Sequence, residues 1–253
     1  MKSPVAIQLY SLREPLALDF ERVVAQVAEI GYLGVETAGF PGTTAEAAGQ
    51  LFDRLELAVA GAHVPLPLGP RKNEVLDTLA ALDCRRAVCP YLPPEQFASA
   101  GDIRRACETL NEARAVFAEN GLQFGYHNHW WEFEPVEGRL AHDWMVEYLH
   151  PEIFFEIDTY WVQAAGANPA DVLRRLGERA PLLHLKDGPA VRGEPMVALG
   201  MGVMDIPAVV AAGAGAGQWL IVELDACATD MLEAVEKSYH YLIEKGLARG
   251  RES

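Results

Sequence analysis

Apolar positions along this chain recur with two alternating periods. Val5 to Leu9 is a short apolar run and reads as a first strand. From Asp19 to Ile30 the apolar residues Phe20, Val23, Val24, Val27 and Ile30 recur at helical spacing, and Gly31 follows as a stop. The same order then repeats. Strands are expected over 33–36, 57–64, 87–91, 122–127, 153–157, 182–185 and 219–223. Helices are expected over 43–55, 74–82, 103–119, 142–149, 169–179, 206–212 and 229–246. Thr43-Thr44-Ala45-Glu46 has capping-box spacing, Asn120-Gly121 stops the longest helix, and Pro169 opens its own. Eight strand-then-helix units imply an α/β protein with a parallel sheet, and their number and the chain length fit a single closed (β/α)8 or TIM barrel over 1–253. An open doubly wound sheet would carry a glycine-rich phosphate loop after its first strand. This chain has Gln8-Leu9-Tyr10-Ser11-Leu12-Arg13 there.

Composition narrows the partners. The 253 residues are 50% hydrophobic and 23% charged, ordinary for one large globular domain. A net charge of -15 argues against nucleic acid and anionic membranes. Cys84, Cys89, Cys107 and Cys227 show no C-x-x-C spacing and read as buried thiols. Met1-Lys2-Ser3-Pro4 runs into a strand without a signal-peptide core, and no uncharged run approaches a membrane span. The expectation is a cytoplasmic protein, with homo-oligomer formation left open.

The chemistry sits where the strands end, which in a barrel is the functional face. Gly125-Tyr126-His127-Asn128-His129-Trp130-Trp131-Glu132-Phe133 packs two histidines, an amide and a carboxylate after an apolar strand. Glu156-Ile157-Asp158-Thr159, His184-Leu185-Lys186-Asp187 and Glu223-Leu224-Asp225 also end apolar runs. Imidazoles and carboxylates drawn from several strands suit one divalent ion: Mn, Zn, Co, Fe or Mg. Glu223 reads either as a ligand or as the salt-bridge partner of a lysine such as Lys186. Asp158 reads as a ligand or a helix cap, and alternation lets Glu156 and Asp158 both point inward. His184 is a ligand or a core histidine. Lys186 is a contact to substrate oxygen or a surface lysine, and it is named with Arg192 as a cation for a phosphate. His127 and His129 share a face. Gln8, Glu36, His63, Glu132 and Trp161 are candidate substrate contacts, and the tryptophans line a pocket lip.

At these residues the chain resembles the sugar phosphate isomerase/epimerase superfamily of xylose-isomerase-like TIM barrels. Gln8-Leu9-Tyr10-Ser11, Gly31-Tyr32-Leu33-Gly34-Val35-Glu36, Ala62-His63 and Val222-Glu223-Leu224-Asp225 carry the likeness along nearly the whole chain. Tyr126-His127-Asn128-His129-Trp130-Trp131-Glu132-Phe133 is similar to one subgroup. The resemblance implies a metal held by Asp158, His184 and Glu223. The family's strand-five glutamate is replaced by His127, with His129 and Glu132 as the other claimants. It also implies a carbohydrate substrate and proton abstraction beside a carbonyl through a metal-stabilised enediolate, with Glu223 or a histidine as base. Isomerisation or epimerisation follows from returning the proton. A dehydratase or lyase on a keto-sugar or inosose is the alternative. An AP endonuclease-like activity and non-catalytic sugar binding rank lower.

Overall fold

The computed structural model describes residues 2–251, so Met1 and the last two residues of the expected 1–253 domain lie outside it. The barrel strands are β1 (Val5–Gln8), β2 (Gly34–Thr37), β3 (Ala58–His63), β4 (Arg86–Cys89) and β5 (Gln123–His127). A two-stranded excursion follows, β6 (Pro135–Val136) and β7 (Arg139–Leu140). The barrel resumes with β8 (Phe154–Asp158), β9 (Leu182–Leu185) and β10 (Trp219–Val222). Among the described residues the eight barrel strands close in the order β1-β10-β9-β8-β5-β4-β3-β2, every pairing parallel. This is the (β/α)8 barrel that the alternating periods imply.

The helices form the outer layer. They are α1 (Arg13–Leu18), α2 (Phe20–Ile30), α3 (Ala45–Arg54), α4 (Lys72–Ala81), α5 (Ala100–Glu119), α6 (Ala141–Tyr148), α7 (Thr159–Ala164), α8 (Pro169–Leu176), α9 (Ile206–Ala212) and α10 (Met231–Glu244). Caps place their starts: Asp19, Thr44, Ser99, Asn168, Asp205 and Asp230 each accept a backbone N–H of the first turn. Their apolar stripes bury against the outward strand residues, as Val23, Val24 and Val27 of α2 do.

Inside the barrel, Ala6, Ala60, Val88, Phe154, Leu182 and Ile221 make a closed apolar layer. Two glycines make room for it and for the polar groups above it. A Cβ at Gly125 would enter the ring of Phe154, and one at Gly61 would lie 2.6 Å from Glu36 Oε1. Two residues further along β1, β2, β8, β9 and β10 the same inward face turns polar, at Gln8, Glu36, Glu156, His184 and Glu223. The apolar layer is therefore the floor on which the polar groups stand. No helix among the described residues is long and apolar enough to cross a membrane.

Candidate active site

The polar layer starts from strand alternation. It carries Glu156 and Asp158 inward from β8, and His184 and Lys186 inward from β9 and the residues after it. His127, Asp158, His184 and Glu223 each bring one ligand-type atom to a cluster in which all four lie within 4.8 Å of one another. Asp158 divides its oxygens. Oδ1 accepts from Trp161 N at 2.9 Å and caps α7. Oδ2 is buried without a directed hydrogen bond, as are both ring nitrogens of His127. Asn128 clamps the neighbouring backbone, accepting from Asp158 N at 3.0 Å and donating to Asp158 O at 3.3 Å. Two imidazoles, two carboxylates and two unpartnered ring nitrogens fit a divalent cation.

Lys186 is not the surface residue that one reading allowed: it is 1% exposed. Its Nζ is 2.8 Å from Asp158 Oδ2, Glu223 Oε2 and Asp225 Oδ2. Burial opposes its charge, but these carboxylates outweigh burial and hold its pKa well above the usual lysine value. Glu223 thus makes the salt bridge and also belongs to the four-residue cluster. Burial would raise its pKa, but Lys186 and His184 hold it well below the ordinary range.

A second ring lies against the first and shares His184. His184 Nδ1 is 2.7 Å from Glu223 Oε2, and its Nε2 is 2.6 Å from Glu36 Oε2. His63 Nε2 is 2.6 Å from Glu156 Oε2, and Gln8 Nε2 donates to Glu36 Oε2 at 2.8 Å. Burial and the nearby Glu156 charge raise the pKa of Glu36. Burial opposes the charge on His184, but Glu156, Glu223 and Glu36 raise its pKa well above normal. Carboxylates on the far nitrogen of a histidine fix the tautomer that the near nitrogen offers to a metal. His127 and His129 are instead kept neutral by burial; His129 falls to about 2.

Above the rings opens a cavity of about 550 Å³. Of the residues on the sequence-based list, His63, His127, His129, Trp161, Lys186 and Glu223 line it. Gln8, Glu36 and Glu132 do not. Each is fully buried and faces protein, so the expectation of direct substrate contact is corrected for these three. Glu132 accepts from Tyr126 Oη at 2.6 Å and from His129 N at 2.9 Å, and so braces the loop that carries His129. Tyr10, Trp130 and Asp225, each noted in the sequence at a strand end or a pocket lip, also line the cavity, as does Tyr91, which was given no site role. Tyr91 just follows the fourth strand and was readable only as strand.

With this geometry in view, the comparisons fall into place. In structure, the chain resembles a sugar phosphate isomerase/epimerase from Parabacteroides distasonis, with TM-score 0.82 and 22% identity over 98% of this chain and 96% of that one. It also resembles the probable 3-DHS dehydratase AsbF of petrobactin synthesis from Bacillus anthracis, with TM-score 0.76 and 14% identity over 96% and 99%. An IOLI protein with a bound zinc atom gives TM-score 0.71 and 14% identity over 97% and 99%. Among curated proteins the sequence has no match. The family described as xylose isomerase-like TIM barrel matches residues 24–242, and the chain belongs to that family.

Proposed function

We propose that this protein is a metal-dependent isomerase or epimerase of a sugar, removing a proton next to a carbonyl. The observation that carries the reading is the convergence of His127, Asp158, His184 and Glu223, with Lys186 beside them, under a cavity of about 550 Å³. The resemblance to a sugar phosphate isomerase/epimerase and to a zinc-bound IOLI protein supports it. His127, Asp158, His184 and Glu223 would hold one ion: Mn, Zn, Co, Fe or Mg. When bound, the ion supplies Lewis-acid polarisation of vicinal carbonyl and hydroxyl oxygens.

The chain's own residues do the rest. Glu223 is ionised and faces the cavity, so it takes the proton. Lys186 stays protonated and opposes the negative charge that grows on the substrate. His127 and His129 are held neutral, so His129 accepts or donates hydrogen bonds to substrate hydroxyls. His63 and Trp161 complete the contacts to the sugar. Elimination needs an acid to protonate the departing hydroxyl, and neither of the strand-five histidines is charged. The likeness to a probable 3-DHS dehydratase supports elimination from a keto-sugar as the second reading.

The whole chain, 1–253, is taken as one domain. The charge of -15 supports a small-molecule carbohydrate partner over nucleic acid or membrane. Free, mostly buried cysteines support a cytoplasmic location. Solvent deuterium incorporation into a panel of ketoses, 3-keto-glycosides and inososes tests the reaction. Isotope should enter at the carbon beside the carbonyl, and Glu223→Gln should slow its entry by about 10²–10⁴-fold. Loss of water before exchange would favour the lyase, and exchange undiminished in Glu223→Gln would remove Glu223 as the base.

A further inference from the structure

We infer that the substrate is unphosphorylated and carries an aromatic substituent where a sugar phosphate would carry its anion; this rests on the isomerase or epimerase reading above. Cations are scarce around the cavity. Among the described residues lining the cavity, Lys186 is the only lysine or arginine, and its ammonium already serves three carboxylates. The arginines stacked on cavity aromatics are also engaged. Arg13 lies over Tyr10 and donates to Tyr10 O and Asp225 O, both at 2.9 Å. Arg192 lies over Trp130 and pairs with Glu134 at 2.7 Å.

The backbone points the same way. Barrels of this kind commonly hold phosphate with the loops after their seventh and eighth strands. Here β9 is the seventh barrel strand, and the loop over 188–204 does gather backbone amides. It gathers them around the chain's own carboxylate. Asp187 Oδ1 accepts from Gly188 N at 2.8 Å and Met204 N at 3.0 Å. Its Oδ2 accepts from Gly200 N at 2.8 Å and Gly202 N at 3.1 Å. Asp187 is fully buried. These four amides of the loop are spent on a fixed internal anion, and that anion would repel a second one. The floor carboxylates and the net charge of -15 act in the same direction.

The walls offer aromatic faces instead. Tyr10, Tyr91, Trp130 and Trp161 face the cavity, joined by Pro65 and Pro90. Tyr91 packs edge-on against His129 and Trp131, and remains half exposed. Such faces take a flat apolar group or the C–H face of a ring. A cavity of about 550 Å³ has room for a drug-sized ligand, more than one monosaccharide fills. The occupant that matches both charge and shape is a keto-sugar glycoside with an aromatic aglycone.

Calorimetric binding to the purified, metal-supplied protein separates the classes. The probes are 3-keto-glucose, its 1-phosphate and its phenyl glycoside. The phenyl glycoside should bind at least about tenfold tighter than the free sugar, and the phosphate ester more weakly than the free sugar. Tyr91→Ala and Trp130→Ala should shrink the advantage of the phenyl group. A phosphate ester that binds as tightly as the free sugar or tighter overturns the inference, as does a phenyl glycoside no tighter than the free sugar. Binding is read without turnover, so a missing deuterium exchange counts against the isomerase reading alone. Inorganic phosphate supplies a second measurement. It should leave the Tm of the wild type unchanged and raise that of Asp187→Ala, whose amides are freed. A phosphate-dependent rise in the wild type overturns the inference even where the variant does not fold.

Discussion

Glu132 is a carboxylate kept in the interior without a cation. It accepts from Tyr126 Oη and His129 N, and burial pushes its pKa up to about 8, against those same hydrogen bonds. The sign of the linkage follows. Below its ordinary value of about 4.5 the group is protonated folded or unfolded; between there and about 8 only the folded state keeps the proton. Stability is thus fully present at low pH and is lost through this group at about 1.4 kcal/mol per pH unit as pH rises across that window. Glu132→Gln cannot lose a proton, and its amide can still meet both partners. Urea unfolding of both proteins from pH 5 to 8 should show the variant gaining on the wild type at each step. A difference that stays constant with pH would refute the assignment. His142 is the converse case: burial holds it neutral near 3, stacked on Phe133 and tilted against Phe155, a core histidine with no partner for either nitrogen.

At the scale of elements, β5 and β8 meet where Gly125 makes room for Phe154. Alanine favours a strand over glycine, but here its methyl enters the ring, so Gly125→Ala should cost about 1–3 kcal/mol through overpacking. Adding Phe154→Leu should recover part of that loss in the same denaturation experiment, and a neutral single variant would show that the ring moves freely. The strands and major helices were legible because each buries one face and so prints a period on the sequence. The elements that were not legible are the short ones. The 3-10 turn and α1 after β1, the β6–β7 hairpin and α7 are each too brief to show a period. The hairpin is set by Glu137 and Gly138, both at positive φ, and α7 by the Asp158 cap. Inward direction was legible too, but height was not. Barrel closure staggers the strands. Gln8 and Glu36 at their strand ends are therefore covered, while His63 and Glu223 open to the cavity.

For the molecule as a whole, the barrel concentrates charge. Glu36, Glu156, Asp158, Glu223 and Asp225 stand in or beside two rings, with Lys186 as their lysine. Buried carboxylates in such excess are costly unless protons or cations accompany them. Protonated His184 serves that purpose in the metal-free protein, held by Glu156, Glu223 and Glu36. A divalent ion would take over, releasing the proton as it binds. Asp225 lies outside the four-residue cluster, so it would keep a partner for the Lys186 ammonium if Asp158 and Glu223 turned to an ion. Because the site exists only in the folded chain, an ion at about 100 times its Kd adds about 2.7 kcal/mol. For a chain of this length that is a rise in Tm of about 5–10 °C. Scans with Mn, Zn, Co, Fe and Mg against a chelated sample should show the rise with at least one ion. The rise should survive 0.5 M potassium chloride as a control, roughly, since a buried site is little screened. Asp158→Ala should abolish it, because the cation then loses one of the two carboxylates of the four-residue cluster. A rise that persists in Asp158→Ala places the ion elsewhere, and no rise with any of the five removes the metal from this site.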